Sequence, residues 1–193
     1  MRISETTMLI GERVTLRATT REDLPKIWAF NNDLDVELAG GGDPPMPQSF
    51  ERLVADWERE VAKGGRDDAV FAIEVEGQFI GQCVLMHANE TAQTVELGIA
   101  IGDKRYWGRG YGREVITMLL EYAFRYRNYR RVWLWVHADN ERAIRSYIAC
   151  GFVEEGRLRE SVKTAEGWDS LVVMAMLEDE YAARVRAARI DSR

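Results

Sequence analysis

Between Val70 and Ile101 apolar and polar residues alternate with a period of two, whereas most of the flanking chain repeats every three to four residues. Before that block, Glu12–Ala18 alternates with Val14 and Leu16 on one face and predicts a first strand. Thr20 and Asp23 have capping-box spacing, and Leu24, Ile27, Trp28 and Phe30 continue from them as a helix. Asn31–Met46, which contains Gly40-Gly41-Gly42 and Pro44-Pro45, reads as a breaker-rich surface loop. Ser49 caps a second predicted helix with Phe50, Leu53, Val54, Trp57 and Val61 on its apolar face and Gly64-Gly65 as its stop. Val70–Val75, Phe79–Met86 and Thr94–Ile101 are then three consecutive antiparallel strands, joined across Glu76-Gly77-Gln78 and Asn89–Gln93.

From there strands and helices alternate. The pattern predicts a helix over Gly110–Arg127, a strand over Arg131–Val136, a helix over Asn140–Cys150 and a strand over Phe152–Glu155. A polar loop, Ser161–Gly167, a strand, Trp168–Met176, and a terminal helix, Glu178–Arg189, complete the chain. Seven strands in this order define a mixed α/β domain over residues 1–193, with helices interleaved among clustered strands. A right-handed crossover through Gly110–Arg127 places the strands that end at Ile101 and begin at Arg131 side by side and parallel.

The connection between those two strands, Asp103–Arg113, carries the first chemical signal. Gly108, Gly110 and Gly112 remove side chains where the amides at a helix start are exposed, and Arg109 and Arg113 add charge, so the turn suits a phosphate. No G-K-[ST] closes it, and its spacing is not the dinucleotide fingerprint, so a different phosphate-bearing ligand is implied.

Charge sharpens this. The net charge is −6, yet Asp103–Arg145 holds ten Lys/Arg against five Asp/Glu, so the rest of the chain is strongly acidic. Such asymmetry fits an anionic ligand held by a protein that otherwise attracts cations, and it argues against a nucleic-acid surface. Cys83 and Cys150 lack metal-type spacing and only two histidines are present, so no metal site is expected and a reducing, cytoplasmic setting is implied. No run has signal-peptide or transmembrane length, so no membrane association is expected.

Three segments resemble the GCN5-related N-acetyltransferases (GNAT), in the branch of ribosomal-protein N-terminal-amine, polyamine and small-amine acetyltransferases. Trp107-Gly108-Arg109-Gly110-Tyr111-Gly112 is similar to the family's acyl-coenzyme A signature Q/R-x-x-G-x-G/A, with Trp107 where Gln or Arg is usual. Asn140–Phe152 follows N-x-x-A-x-x-x-Y-x-x-x-G-F, and the tail from Glu166 to Met174 is typical of the branch. The resemblance implies a mostly antiparallel, twisted seven-stranded sheet flanked by helices on both faces, with one central parallel strand pair. It further implies acetyl-CoA as cofactor and a primary amine as acceptor: a protein N-terminus, a polyamine, an antibiotic or a small metabolite. Homodimers are common in the branch.

Residue roles follow from the same resemblance. Backbone groups of Ile99, Ala100 and Ile101 would bind the pantetheine arm with Asn140 opposite, and residues from Trp107 to Arg113 would bind pyrophosphate. Tyr147 is the expected general acid to the sulfur, and Glu96 the expected base for the amine. Trp28, Asn31, Glu37 and Asp169 are candidate acceptor contacts, and one or two of Arg125, Arg127, Arg130 and Arg131 are candidates for the adenosine 3′-phosphate. His137 reads as a packing or capping residue at a strand end, and His87 carries less signal still. Trp133 and Trp135 share one face of their strand and read as core. The competing class is a non-catalytic acyl-CoA sensor that keeps the cofactor cleft and has lost acceptor chemistry.

Overall fold

Phe71, Ile73 and Val75 point to one side of strand β3 (Ala69–Val75) and Ala72 to the other, and all four are buried, so this strand is covered on both faces. The computed structural model, which describes residues 7–40, 46–63, 68–164 and 167–191, shows what covers them. On one face, α4 (Tyr111–Glu121) and α5 (Glu141–Cys150) pack Val115, Ile116, Leu119 and Tyr147 onto the sheet. On the other, α1 (Leu24–Asn31) and α3 (Phe50–Ala62) bury Leu24 and Ile27 with Ala72 and Phe79.

Among the described residues the sheet has eight strands in the order β1-β2-β3-β4-β5-β6-β8-β7, one more than the pattern predicts. The extra strand is β1 (Thr7–Ile10), which pairs with a β2 confined to Thr15–Arg17. β4 (Gln78–Asn89), β5 (Thr94–Ile101), β6 (Arg131–His137), β7 (Val153–Thr164) and β8 (Gly167–Leu177) complete it. β7 therefore runs through most of the expected polar loop at Ser161–Gly167, because its register against β8 continues to Thr164↔Gly167. Every neighbouring pair is antiparallel except β5 and β6.

Helices also depart from expectation in two places. A short helix, α2 (Leu34–Gly40), lies within the stretch read as a loop. The helix expected over Gly110–Arg127 is α-helical only to Glu121 and ends in a π turn over Tyr122–Tyr126. The caps fall where the sequence places them: Ser49 Oγ accepts from the Arg52 amide, and the Asp23 carboxylate accepts from the Thr20 amide at 2.9 Å. The breakers at 41–45 and the Gly64-Gly65 stop lie outside the described residues. α6 (Glu178–Asp191) docks through Tyr181, whose ring stacks on Phe124 at 5.0 Å. No helix among the described residues is long and apolar enough to cross a membrane.

β2 is tied to α1 by charge. Arg17 gives two bonds of 2.8 Å to Asp23 and one of 2.7 Å to Glu74, and Arg17 and Asp23 are both buried. Burial alone would raise the Asp23 carboxyl, but the Arg17 and Thr20 donors outweigh it and hold the group below the ordinary carboxylate range. A lowered native pKa means the stabilisation is complete above the unfolded value and is lost as pH falls through the native one. Asp23→Ala is expected to cost about 2 kcal/mol in urea unfolding at pH 7, below the usual range for a broken buried pair because Glu74 still partners Arg17. The difference from wild type should shrink as pH falls through the acidic range.

Candidate active site

The parallel pairing of β5 and β6 covers only Thr94↔Arg131, Val95↔Val132 and Glu96↔Trp133. Beyond Glu96 both strands continue, to Ile101 and His137, with no ladder between them. Their outer edges stay paired, β5 with β4 and β6 with β8, so the inner edges face each other across a fork without a ladder, where the Ile101 carbonyl accepts from Trp107 Nε1. Gly81 helps set the outer pairing: a Cβ there would lie 2.1 Å from the Ala100 carbonyl oxygen, so only glycine lets β4 approach β5 this closely.

A cleft of about 270 Å³ opens at the fork. Ile99, Ala100 and Ile101 line one arm, and Trp135, Val136 and His137 line the other. The glycine turn forms one end and Tyr147 of α5 also contributes to the wall. Gly108 (φ +72) and Gly110 (φ +86) both adopt the left-handed conformation, and Gly110 precedes α4 with no side chain capping the helix. The amides of Tyr111 and Gly112 are thus left for a ligand, while that of Arg113 donates to the Gly110 carbonyl, and the positive end of the helix dipole adds to them.

The turn is clamped from β2's side of the sheet. Glu114, in the first turn of α4, accepts from the amides of Arg13 and Val14 at 2.7 and 3.0 Å. Arg13 bonds the Arg109 carbonyl at 3.1 Å and lies over the Tyr111 ring. This long-range clamp has no local signature in the sequence. Arg113, Trp107, Tyr111 and Gly112 line the cleft; Arg109 is not among its lining residues and contributes its carbonyl to the clamp.

Asn140 lines the cleft, but its side chain is already engaged. Its Oδ1 caps α5 by accepting from the Ala143 amide, and its Nδ2 donates to the Ala39 carbonyl at 3.0 Å. It therefore fastens α2 over the cleft, where Val36 and Ala39 form part of the wall. Lys104 reinforces this by pairing with Asp33 and Asp35 at the start of that helix.

Glu96 is the last residue of the parallel ladder and is 3% exposed. Trp135 Nε1 donates to its Oε1 at 2.6 Å, and His87 Nδ1 donates to its Oε2 at 2.8 Å. His87 reaches it from an irregularity of β4, where the register shifts between Met86 and Asn89 and His87 takes φ +52. A bulge re-aims a side chain, and a non-glycine residue held in the left-handed region here directs the ring to a buried carboxylate. The bond to Glu96 raises the His87 pKa above its ordinary value.

The reading of Trp133 and Trp135 as core is overturned. Val132, Leu134 and Val136 face the core, and Trp135 is 51% exposed on the opposite face, where it lines the cleft. His137 on that same face is buried and pairs with Asp169 through Nδ1 at 3.1 Å. Its Nε2 is the one buried side-chain nitrogen or oxygen without a hydrogen-bond partner among the described residues. His137, Asp139 and Asp169 bring donor atoms within 4.8 Å of one another, a cluster that spacing along the chain does not signal.

Among the other candidate acceptor residues, Trp28 and Asn31 both bond Gln48, through its carbonyl and its side chain, and neither lines the cleft. Glu37 lies on α2 beside the lining residue Val36, and partial burial raises its carboxyl pKa. Tyr147 is buried, its ring meets Phe152 edge-on at 5.7 Å, and burial pushes its phenol up to about 12.

A forked parallel pair with a glycine turn at one end and a buried tyrosine in its wall can hold an extended, phosphate-bearing amide arm. The model of the acetyltransferase (GNAT) domain family matches residues 13–153, and the chain belongs to that family. A spermidine N(1)-acetyltransferase of Vibrio cholerae serotype O1 is 28% identical over 176 residues, which cover 91% of this chain and 99% of that protein. The spermidine N(1)-acetyltransferase of Escherichia coli K12 is 25% identical over 170 residues, covering 88% and 89%. A crystal structure of the Vibrio cholerae spermidine N-acetyltransferase in complex with CoA and spermine aligns with a TM-score of 0.81 at 28% identity, over 89% of this chain and 99% of that one. The chain is an acetyl-CoA-dependent amine N-acetyltransferase. Its unladdered strand edges and uncapped helix amides suit the amide arm and phosphates of that cofactor.

Proposed function

We propose that the chain acetylates a primary amine of a polyamine, with the acceptor entering on the Glu96–Trp135 face of the fork. The observation that carries this reading is a buried carboxylate at the root of the fork, hydrogen-bonded to an exposed indole in the cleft wall. A carboxylate and an aromatic face both attract an alkylammonium group. Asp139 and Asp169 beside His137 extend the acidic mouth, and the acidic balance outside Asp103–Arg145 favours a multiply charged cation over a neutral amine. The names of the relatives point to the same acceptor class.

In this reading the unladdered edge of Ile99–Ile101, apart from the Ile101 carbonyl that Trp107 occupies, takes the pantetheine arm, and the Gly108–Arg113 turn takes pyrophosphate. Glu96 is buried behind Trp135 and does not itself line the cleft, but each of its oxygens keeps a second lone pair beyond its bond to Trp135 or His87, so the carboxylate can take up the ammonium proton by way of a bridging water. The freed amine adds to the thioester carbonyl and forms the C–N bond; as the adduct collapses the C–S bond breaks, the second proton shed by the nitrogen goes to the departing thiolate, and Tyr147 supports that sulfur with a hydrogen bond. Asn140 acts by holding α2 over the cleft. The free, buried thiols Cys83 and Cys150 fit a reducing cytoplasm.

Glu96→Gln keeps the shape and loses the charge. It is expected to lower kcat/KM for the amine about tenfold, with coenzyme A affinity unchanged, as one charge-assisted hydrogen bond implies. The acceptor class is tested by following thiol release and product mass with spermidine, spermine, a monoamine, an N-terminal peptide and an aminoglycoside. The polyamines should give the highest kcat/KM; preference for the peptide or the monoamine would overturn the polyamine reading.

A further inference from the structure

Trp107 departs from the glycine motif, and the structure gives its side chain two partners. Its indole Nε1 donates to the Ile101 carbonyl at 2.6 Å, which pins the ring against the end of β5. Over the face of that ring lies the Arg142 guanidinium, 4.4 Å from the centroid. Arg142 is the second residue of α5, where a cation opposes the helix dipole. Its neighbour Arg145 is neutralised by Glu141 at 2.8 Å, but Arg142 has no ion pair or side-chain hydrogen bond among the described residues. Nothing local accounts for a cation held in this place.

The surroundings indicate what would account for it. Arg142 lines the cleft together with Trp107, Arg113 and the glycine turn, whose helix amides have no side-chain cap. A guanidinium already oriented by an aromatic face keeps its N–H edge available for a planar, bidentate contact with phosphate. We infer that Arg142, held on the Trp107 indole, binds the pyrophosphate of coenzyme A, and that Trp107 is the positioning residue for this contact. The inference rests on the assignment of the fork cleft to acetyl-CoA made above. It also implies that Ile101 offers the pantetheine arm less than a bare strand edge would, because its carbonyl already accepts from the indole.

Calorimetric titration of the full chain with coenzyme A and with 3′-dephospho-coenzyme A tests this, alongside the kcat/KM for S-acetyl-pantetheine, which has no pyrophosphate. Arg142→Ala should weaken both nucleotide ligands about tenfold, the worth of one charge-assisted contact, and change the pantetheine reaction less than twofold. Trp107→Ala should weaken the same two ligands, and the double variant should be within twofold of the weaker single one, because Trp107 acts through Arg142. An unchanged dissociation constant in Arg142→Ala overturns the proposal. So does a loss confined to coenzyme A, which would place Arg142 at the 3′-phosphate, or an equal loss with S-acetyl-pantetheine, which would make its role structural. Gly110→Asp separates the two levels: if it abolishes binding while Arg142→Ala is neutral, only the Arg142 contact fails, whereas intact binding in Gly110→Asp removes the cleft assignment as well.

Discussion

Gly110→Asp is expected to weaken coenzyme A binding at least about a hundredfold, with a fold that still melts cooperatively. Gly110 has φ +86 and immediately precedes the uncapped first turn of α4. Aspartate tolerates the left-handed region better than most residues, so the conformational penalty is about 1 kcal/mol and falls on folding. The added Cβ meets only Arg13 Nη2, at 3.4 Å, so packing is not the obstacle. Electrostatics is: a carboxylate in this position occupies the amides that would hold phosphate and repels the phosphate itself, and about 2.7 kcal/mol suffices for a hundredfold loss. Titration calorimetry with thermal melting as the folding control measures both quantities. Unchanged affinity would remove the turn from the cofactor site.

Tyr147→Phe should lower kcat about a hundredfold and leave the coenzyme A dissociation constant within twofold. Burial keeps the phenol protonated, with a pKa of about 12, so it is a standing donor at every pH at which the enzyme works. Full proton transfer to a thiolate with an ordinary pKa of about 8.5 would run uphill by several units, at about 1.4 kcal/mol each. The phenol's contribution is therefore a hydrogen bond that strengthens as charge develops on sulfur, and one such bond is worth about 2.7 kcal/mol in kcat. Single-turnover rates and calorimetry on the variant separate the two effects. The wild-type pH–rate profile should show no descending limb from Tyr147 below about pH 10, since a phenol at about 12 has barely begun to ionise there.

The parts of this enzyme that depend on neighbouring residues are legible in its sequence. Ser49 announces itself as a cap because a cap requires only its own helix, and the period of two marks the strands from Ala69 to Ile101. α2 is hidden because Leu34, Val36 and Leu38 alternate where a helix would show wider spacing, and breakers follow directly. β6 shows the limit of alternation itself: with apolar residues on both faces, period two cannot say whether Val132, Leu134 and Val136 or Trp133 and Trp135 face the core. The fork is a matter of register between strands far apart in sequence. Glu96 could be placed on its strand, but its partners His87 and Trp135 stand 9 and 39 residues away, and one of them is delivered by a bulge. Likewise Asn140 was legible as a motif residue, whereas its bond to Ala39, 101 residues away, was not.

The central claim is that the β5–β6 fork, closed by the glycine turn, holds acetyl-CoA. Backbone hydrogen exchange with and without coenzyme A tests it most directly, because the claimed contacts are made largely by main-chain amides. Slowed exchange concentrated in Ile99–Ile101 and Gly108–Arg113 is the expected result. Unchanged exchange in both segments at saturating coenzyme A, with protection arising elsewhere on the sheet, would contradict it.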